Sequence, residues 1–130
     1  MNYIETIKGF LVELDYTITL EKEKEGILVV QKEDHGIKNL VIGIAPPIVI
    51  FEQYIFKIEN PSNDILKSLL KKNRDIVHGA FVLDHTGEKV IFRDTLQVET
   101  LDIEELEATL NSLSLLMSEY AEQIIKFSKY

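Results

Sequence analysis

His35, His78 and His85 are the residues of this chain with the widest chemical range, because imidazole titrates near neutral pH and ligates metal ions. Two of them follow an aspartate in a turn-like setting, Asp34-His35-Gly36 and Asp84-His85-Thr86-Gly87. If those turns converged, two imidazoles and a carboxylate would make a facial metal site. The helical i, i+4 histidine pair of a zinc hydrolase is absent. Turn chemistry alone accounts for both sequences, since Asp bonds its own backbone and Gly supplies the positive φ. The expectation is therefore no metal ligand and no cofactor, with a regulatory or small-ligand or metal-binding domain built on the three histidines as the alternative.

Acid–base work would need a carboxylate that burial or a like-charged neighbour has shifted. The acidic residues fall instead in dense runs, such as Glu21, Glu23, Glu25 and Glu104, Glu105, Glu107, which read as solvated faces. Arg74-Asp75 and Arg93-Asp94 are adjacent couples, and neighbours in a strand point to opposite faces. No glycine-rich phosphate loop, nucleophile elbow or aromatic-plus-basic stripe is present. Without cysteine there is no thiolate nucleophile, no thiolate metal site and no disulfide. No catalytic residue is expected, and the chain reads as a non-enzymatic one.

The elements that would hold these side chains come from a chain of 130 residues, 45% apolar and 28% charged, the composition of one globular domain over residues 1–130. The net charge of −8 argues against nucleic acid as a partner. The first residues lack a basic start followed by an apolar run, and the longest apolar stretch, 44–51, is interrupted by Pro46-Pro47. No membrane association is expected, and the expected location is cytoplasmic.

Ile4, Ile7, Leu11 and Leu14 recur at helical spacing, with Asn2 and Glu5 as a capping box, and predict a short helix over 3–14. Residues 16–20 alternate in a β-prone way, and Glu21 to Gly26 reads as a solvated turn. Strands follow at 27–30 and 37–45 around the Asp34-His35-Gly36 turn. Pro46-Pro47 is expected to break pairing. A long strand over 48–58 then has Ile48, Ile50, Tyr54, Phe56 and Ile58 on one face and Val49, Phe51 and Ile55 on the other. Both faces are apolar, where a half-solvated antiparallel strand would alternate.

A second helix is expected over 64–72 behind Asn60-Pro61-Ser62-Asn63, then a hairpin over 77–83 and 89–96. The final helix opens on the Asp102–Glu105 capping box and carries the seam Ile103, Leu106, Leu110, Leu113, Met117, Tyr120, Ile124 and Phe127, roughly 38 Å in length. The fold class is α+β, an antiparallel sheet with the order α-βββ-α-ββ-α.

The stretch Leu69-Leu70-Lys71-Lys72-Asn73-Arg74-Asp75-Ile76-Val77-His78-Gly79-Ala80-Phe81 resembles the YbjN-like family, which shares the type III secretion chaperone (Tir chaperone, CesT-like) fold. So do Val90-Ile91-Phe92-Arg93-Asp94-Thr95-Leu96 and Leu101-Asp102-Ile103-Glu104-Glu105-Leu106. The order of elements matches over nearly the whole chain, and the local motifs cover about its C-terminal half. The resemblance implies a small acidic cytoplasmic protein, usually a homodimer, whose secretion relatives hold an effector segment along hydrophobic patches. It brings no catalytic motif. From the residues, the expected partner-binding side chains are Val49, Phe51, Tyr54, Ile55 and Phe56, and the expected dimer or helix seam is Leu113, Met117, Tyr120 and Ile124. The expected partners are a second copy of the chain and a client protein.

Overall fold

The computed structural model describes residues 2–59, 63–119 and 121. The first helix, α1 (Tyr3–Glu13), starts where the Asn2 side-chain oxygen accepts the Glu5 N–H at 3.3 Å, which satisfies one orphan donor of the first turn. Four strands follow: β1 (Thr17–Lys22), β2 (Ile27–Lys32), β3 (Ile37–Ala45) and β4 (Ile48–Lys57). Then come α2 (Asn63–Asn73), β5 (Ala80–Leu83), β6 (Lys89–Gln97) and α3 (Ile103–Glu119). The α+β antiparallel class holds, with one strand more before α2 than the expected order contains.

That extra strand is β1. It is an edge strand whose side chains are mostly exposed, and its charged end, Glu21-Lys22, runs into the acidic turn that follows. The turn itself is only the short 3₁₀ stretch Glu23–Glu25, closed by Gly26 in the left-handed region. The β2–β3 turn repeats this device with Glu33–His35 and Gly36, as the Asp34-His35-Gly36 reading expects.

All six strands form one antiparallel sheet in the order β1-β2-β3-β4-β6-β5. Pro46-Pro47 does not end the pairing. It forms the two-residue turn of the β3–β4 hairpin, with Ala45 opposite Ile48. Neither proline has an N–H to give, and in a turn neither needs one; the Pro47 carbonyl accepts the Val98 N–H at 3.0 Å. β5 begins at Ala80 rather than at Val77, because Gly79 sits at φ +88° and turns the chain into the sheet, and any Cβ there would collide with the Phe92 ring.

The core lies on one face of the sheet. Leu28, Val30, Leu40, Ile42, Val49, Phe51, Val90 and Phe92 point to it, and Ile4, Ile7 and Leu11 of α1, Ile65 and Leu69 of α2, and Leu106, Leu110, Leu113 and Leu116 of α3 complete one cluster with them. Polar ties hold the layers in register. The Thr109 hydroxyl of α3 donates to Asp94 on β6 at 2.8 Å. The Asn73 amide at the end of α2 donates to the Phe81 carbonyl at 3.0 Å and accepts the Phe81 N–H at 2.7 Å, occupying part of the free edge of β5. The buried Gln53 donates to the Gly36 carbonyl at 3.2 Å and accepts the Lys38 N–H at 3.1 Å, clamping the start of β3 to β4.

Candidate partner-binding face

The opposite face of the sheet carries the surplus of apolar side chains. Cross-strand pairing sorts its outward residues into rows. Ile27, Gly43, Ile50 and Thr95 form one row across β2, β3, β4 and β6. Leu20, Val29, Val41, Glu52 and Arg93 form the next. Tyr54, Ile91 and Val82 form a third, and Lys57 and Lys89 stand opposite each other beyond it. Ile48 pairs with Gln97 at the far end. Leu20, Val41 and Tyr54 are exposed, Tyr54 by 55%. Ile27, Val29, Ile48, Ile50 and Ile91 are half-buried, and none of them joins the cluster formed with the helices. The apolar field is crossed by one ion pair, Arg93 Nη1 to Glu52 Oε1 at 2.7 Å.

A bulge decides which residues reach this face. The register of β4 against β6 shifts between Tyr54 and Phe56, so one extra residue, Ile55, is inserted. Phe56 and Ile58 are thereby turned to the core side with Val49 and Phe51, against the simple alternation expected from the sequence. Of the expected partner-binding residues, Val49, Phe51 and Phe56 are core side chains, 0%, 0% and 3% exposed, with no surface to offer a partner. Ile55 is half-buried against the core, and Tyr54 alone of the five stands outward and exposed. The residues that the expected partner-binding set left out are Ile27, Val29, Val41, Ile48, Ile50 and Ile91. Their signal was available: β2, β3 and β6 each carry apolar residues at successive positions, as β4 does.

Along the expected seam, Leu113 is fully buried and Met117 packs against the same core, so both serve the helix's own sheet. Tyr120 and Ile124 lie outside the described residues. The three histidines do not converge. His35 sits in the β2–β3 turn, where its Nδ1 lies 3.3 Å from Asp34 Oδ1. His78 precedes β5, its carbonyl accepting the Ser112 hydroxyl at 2.7 Å. His85 is in the exposed β5–β6 turn. Among the described residues no three His, Asp or Glu side chains are grouped so as to hold a metal ion.

Turn chemistry instead explains the titration of the aspartates. His35 beside Asp34 holds that carboxyl below its ordinary value. The Thr86 hydroxyl, with the Lys89 and Glu88 amides, does the same for Asp84. Burial pushes the Tyr16 phenol up to about 12, with the Asp34 and Glu107 charges adding to it.

A helix-backed antiparallel sheet with this connectivity has relatives. The CesT_Tir_1 family model matches residues 1–130. The chain belongs to the CesT_Tir_1 family. No curated protein matches it by sequence. Among solved structures this CesT_Tir_1 chain is similar to YbjN from E. coli, for which a role in transcription regulation has been suggested, with TM-score 0.71, 14% identity and 92% of each chain covered. It is similar to a chain of the heterodimeric ExoU–SpcU complex from the type III secretion system of Pseudomonas aeruginosa, with TM-score 0.71, 12% identity, and 95% of this chain and 99% of that one covered. It is also similar to a chain of the Yersinia pestis complex of the type III secretion chaperone SycH with a fragment of YscM2. There the TM-score is 0.59 and the identity 17%, over 97% of this chain and 99% of that one. At these identities the likeness is one of fold. It bears out the resemblance to YbjN and the secretion chaperones read from the sequence.

Proposed function

We propose that this chain is a non-enzymatic, chaperone-like module that holds a segment of another protein against the outer face of its sheet. One observation carries this reading: Ile27, Val29, Val41, Ile48, Ile50, Tyr54 and Ile91 share a face that no helix of the described residues covers. A contiguous apolar field on a folded chain marks a place where something else binds. Structures with the same fold that contain a chaperone–effector complex, or the chaperone SycH with a fragment of YscM2, support a protein partner over a small ligand. The homodimer and the cytoplasmic location implied by the resemblance belong to the same reading. No helix of the described residues is long and apolar enough to cross a membrane.

Site-specific photo-crosslinking tests it in the cell of origin. A benzophenone side chain in place of Tyr54 is expected to give discrete adducts with another polypeptide. The same group in place of Leu115, exposed on α3, is expected to give none of them. Absence of adducts at position 54, or the same adducts from both positions, would remove the outer face as the docking surface. Sedimentation equilibrium checks the homodimer, and a monomer throughout the micromolar range would contradict it.

A further inference from the structure

We propose that the occupant of the outer face is an amphipathic helix of another protein, with carboxylates at one end of its apolar stripe. This rests on the reading that the outer face binds protein, and it specifies the chemistry of the partner.

The helical form follows from what a sheet face can offer. The backbone groups of β2, β3, β4 and β6 are taken up in their own ladders, so a segment lying across them meets side chains only. An extended segment would hold its own N–H and C=O groups over an apolar surface without partners, at a cost of a few kcal/mol for each group fully desolvated. A helix satisfies those groups internally and presents a stripe. The 10 residues of β4 span about 33 Å, the length of a helix of about 20 residues.

The acidic end follows from charge. The outward side chains assigned by the register include Lys22, Lys57, Lys89 and Arg93. Against these cations the described strand residues set Glu52 alone on that face; Arg93 engages it, and Lys22 pairs with Glu25 of the adjoining turn at 3.9 Å, so Lys57 and Lys89 carry the excess positive charge. The chain as a whole has a net charge of −8, its carboxylates crowding the turns and α3: Glu23, Glu25, Glu33, Glu104, Glu105 and Glu107. The outer face is thus a basic exception on an acidic molecule. Lys57 and Lys89 stand directly opposite each other, a like-charged cross-strand pair that is unfavourable until an anion lies between them. They sit at the end of the apolar rows beside Tyr54, with Lys89 Nζ 6.0 Å from the ring centroid. A second copy is the poorer match, because a two-fold contact lays this cationic face on an identical cationic face and brings no carboxylates to its lysines.

The test uses the full chain and two synthetic peptides of about 20 residues, each a helix with a leucine stripe. One has glutamates at one end of the stripe and its twin has lysines there. Fluorescence anisotropy is expected to show the glutamate peptide binding about tenfold more tightly, with the preference shrinking as salt is raised. The double variant Lys57→Glu/Lys89→Glu, at two exposed positions, is expected to reverse the preference. Ile50→Asp is expected to abolish binding of both peptides, and Tyr54→Glu does so at an exposed site if Ile50→Asp lowers the melting temperature. Equal binding of the twins, unchanged by Lys57→Glu/Lys89→Glu yet lost in Tyr54→Glu, overturns the acidic-helix assignment and leaves the docking face standing. Binding that survives both Ile50→Asp and Tyr54→Glu overturns the face itself, and failure of both peptides to bind overturns the helix. A dimer that Tyr54→Glu dissociates gives the face to a second copy and overturns the proposal.

Discussion

Tyr16 links α1 to the sheet. Its ring is buried, Lys32 Nζ lies 5.1 Å from the ring centroid and donates to the Leu14 carbonyl at 3.0 Å, and Asp34 and Glu107 bring negative charge nearby. Burial first, then those charges, raise the phenol to about 12 from its ordinary 10.0. A folded-state pKa above the unfolded one contributes stability that is whole below pH 10 and is lost as pH rises toward 12. Urea unfolding at pH 9 and at pH 11.5 is therefore expected to show a larger loss of stability in the wild type than in Tyr16→Phe. An identical loss in the two proteins would contradict this account. The residue types behind the turns were readable beforehand: Gly36, Asp34 and Asp84 do what Asp and Gly do in a turn. The proximity of Glu107, from another element, was not, because only packing brings it to Tyr16.

At the scale of elements, helix periodicity was the most legible signal. Ile4, Ile7 and Leu11, and Leu106, Leu110 and Leu113, are buried where their spacing places them, and the Asp102 side chain accepts the Glu105 N–H at 2.8 Å. The strands were legible as β structure but not face by face. Alternation assigns Phe56 to the side of Ile50, and the bulge at Ile55 reverses that assignment. No sequence pattern marks the inserted residue, since Tyr54, Ile55 and Phe56 are all large and apolar. For that reason Phe56 looked available to a partner while it fills the core; Val49 and Phe51 looked so because both faces of β4 are apolar. β1 was obscured in another way, its charged end resembling the turn beside it. The join of α2 to the sheet rests on Asn73, whose two bonds to Phe81 act as a short stand-in for a neighbouring strand. Asn73→Ala is expected to cost about 1–2 kcal/mol in chemical denaturation and to speed amide exchange in β5 before other strands. Unchanged exchange in β5 would show that α2 is held there by Ile65 and Leu69 alone.

At the scale of the molecule, the sheet divides the chain into a covered side and an uncovered one. α1, α2 and α3 all contribute to the core face, and their acidic residues face solvent around it. The other side keeps its apolar rows, the Arg93–Glu52 ion pair and a lysine couple. The sequence carried this asymmetry as a surplus, two apolar faces on β4, without saying which one the helices take. Family membership does not by itself locate a partner. The account stands on whether the two faces differ in solution. Methyl-resolved NMR of the free chain with a soluble nitroxide measures that directly. Strong relaxation of the Val29, Val41, Ile50 and Ile91 methyls, with Val30, Ile42, Val49 and Val90 on the same strands left sharp, is the predicted result. Equal protection of the two sets would mean that both faces are covered, and the binding surface proposed for this protein would not exist.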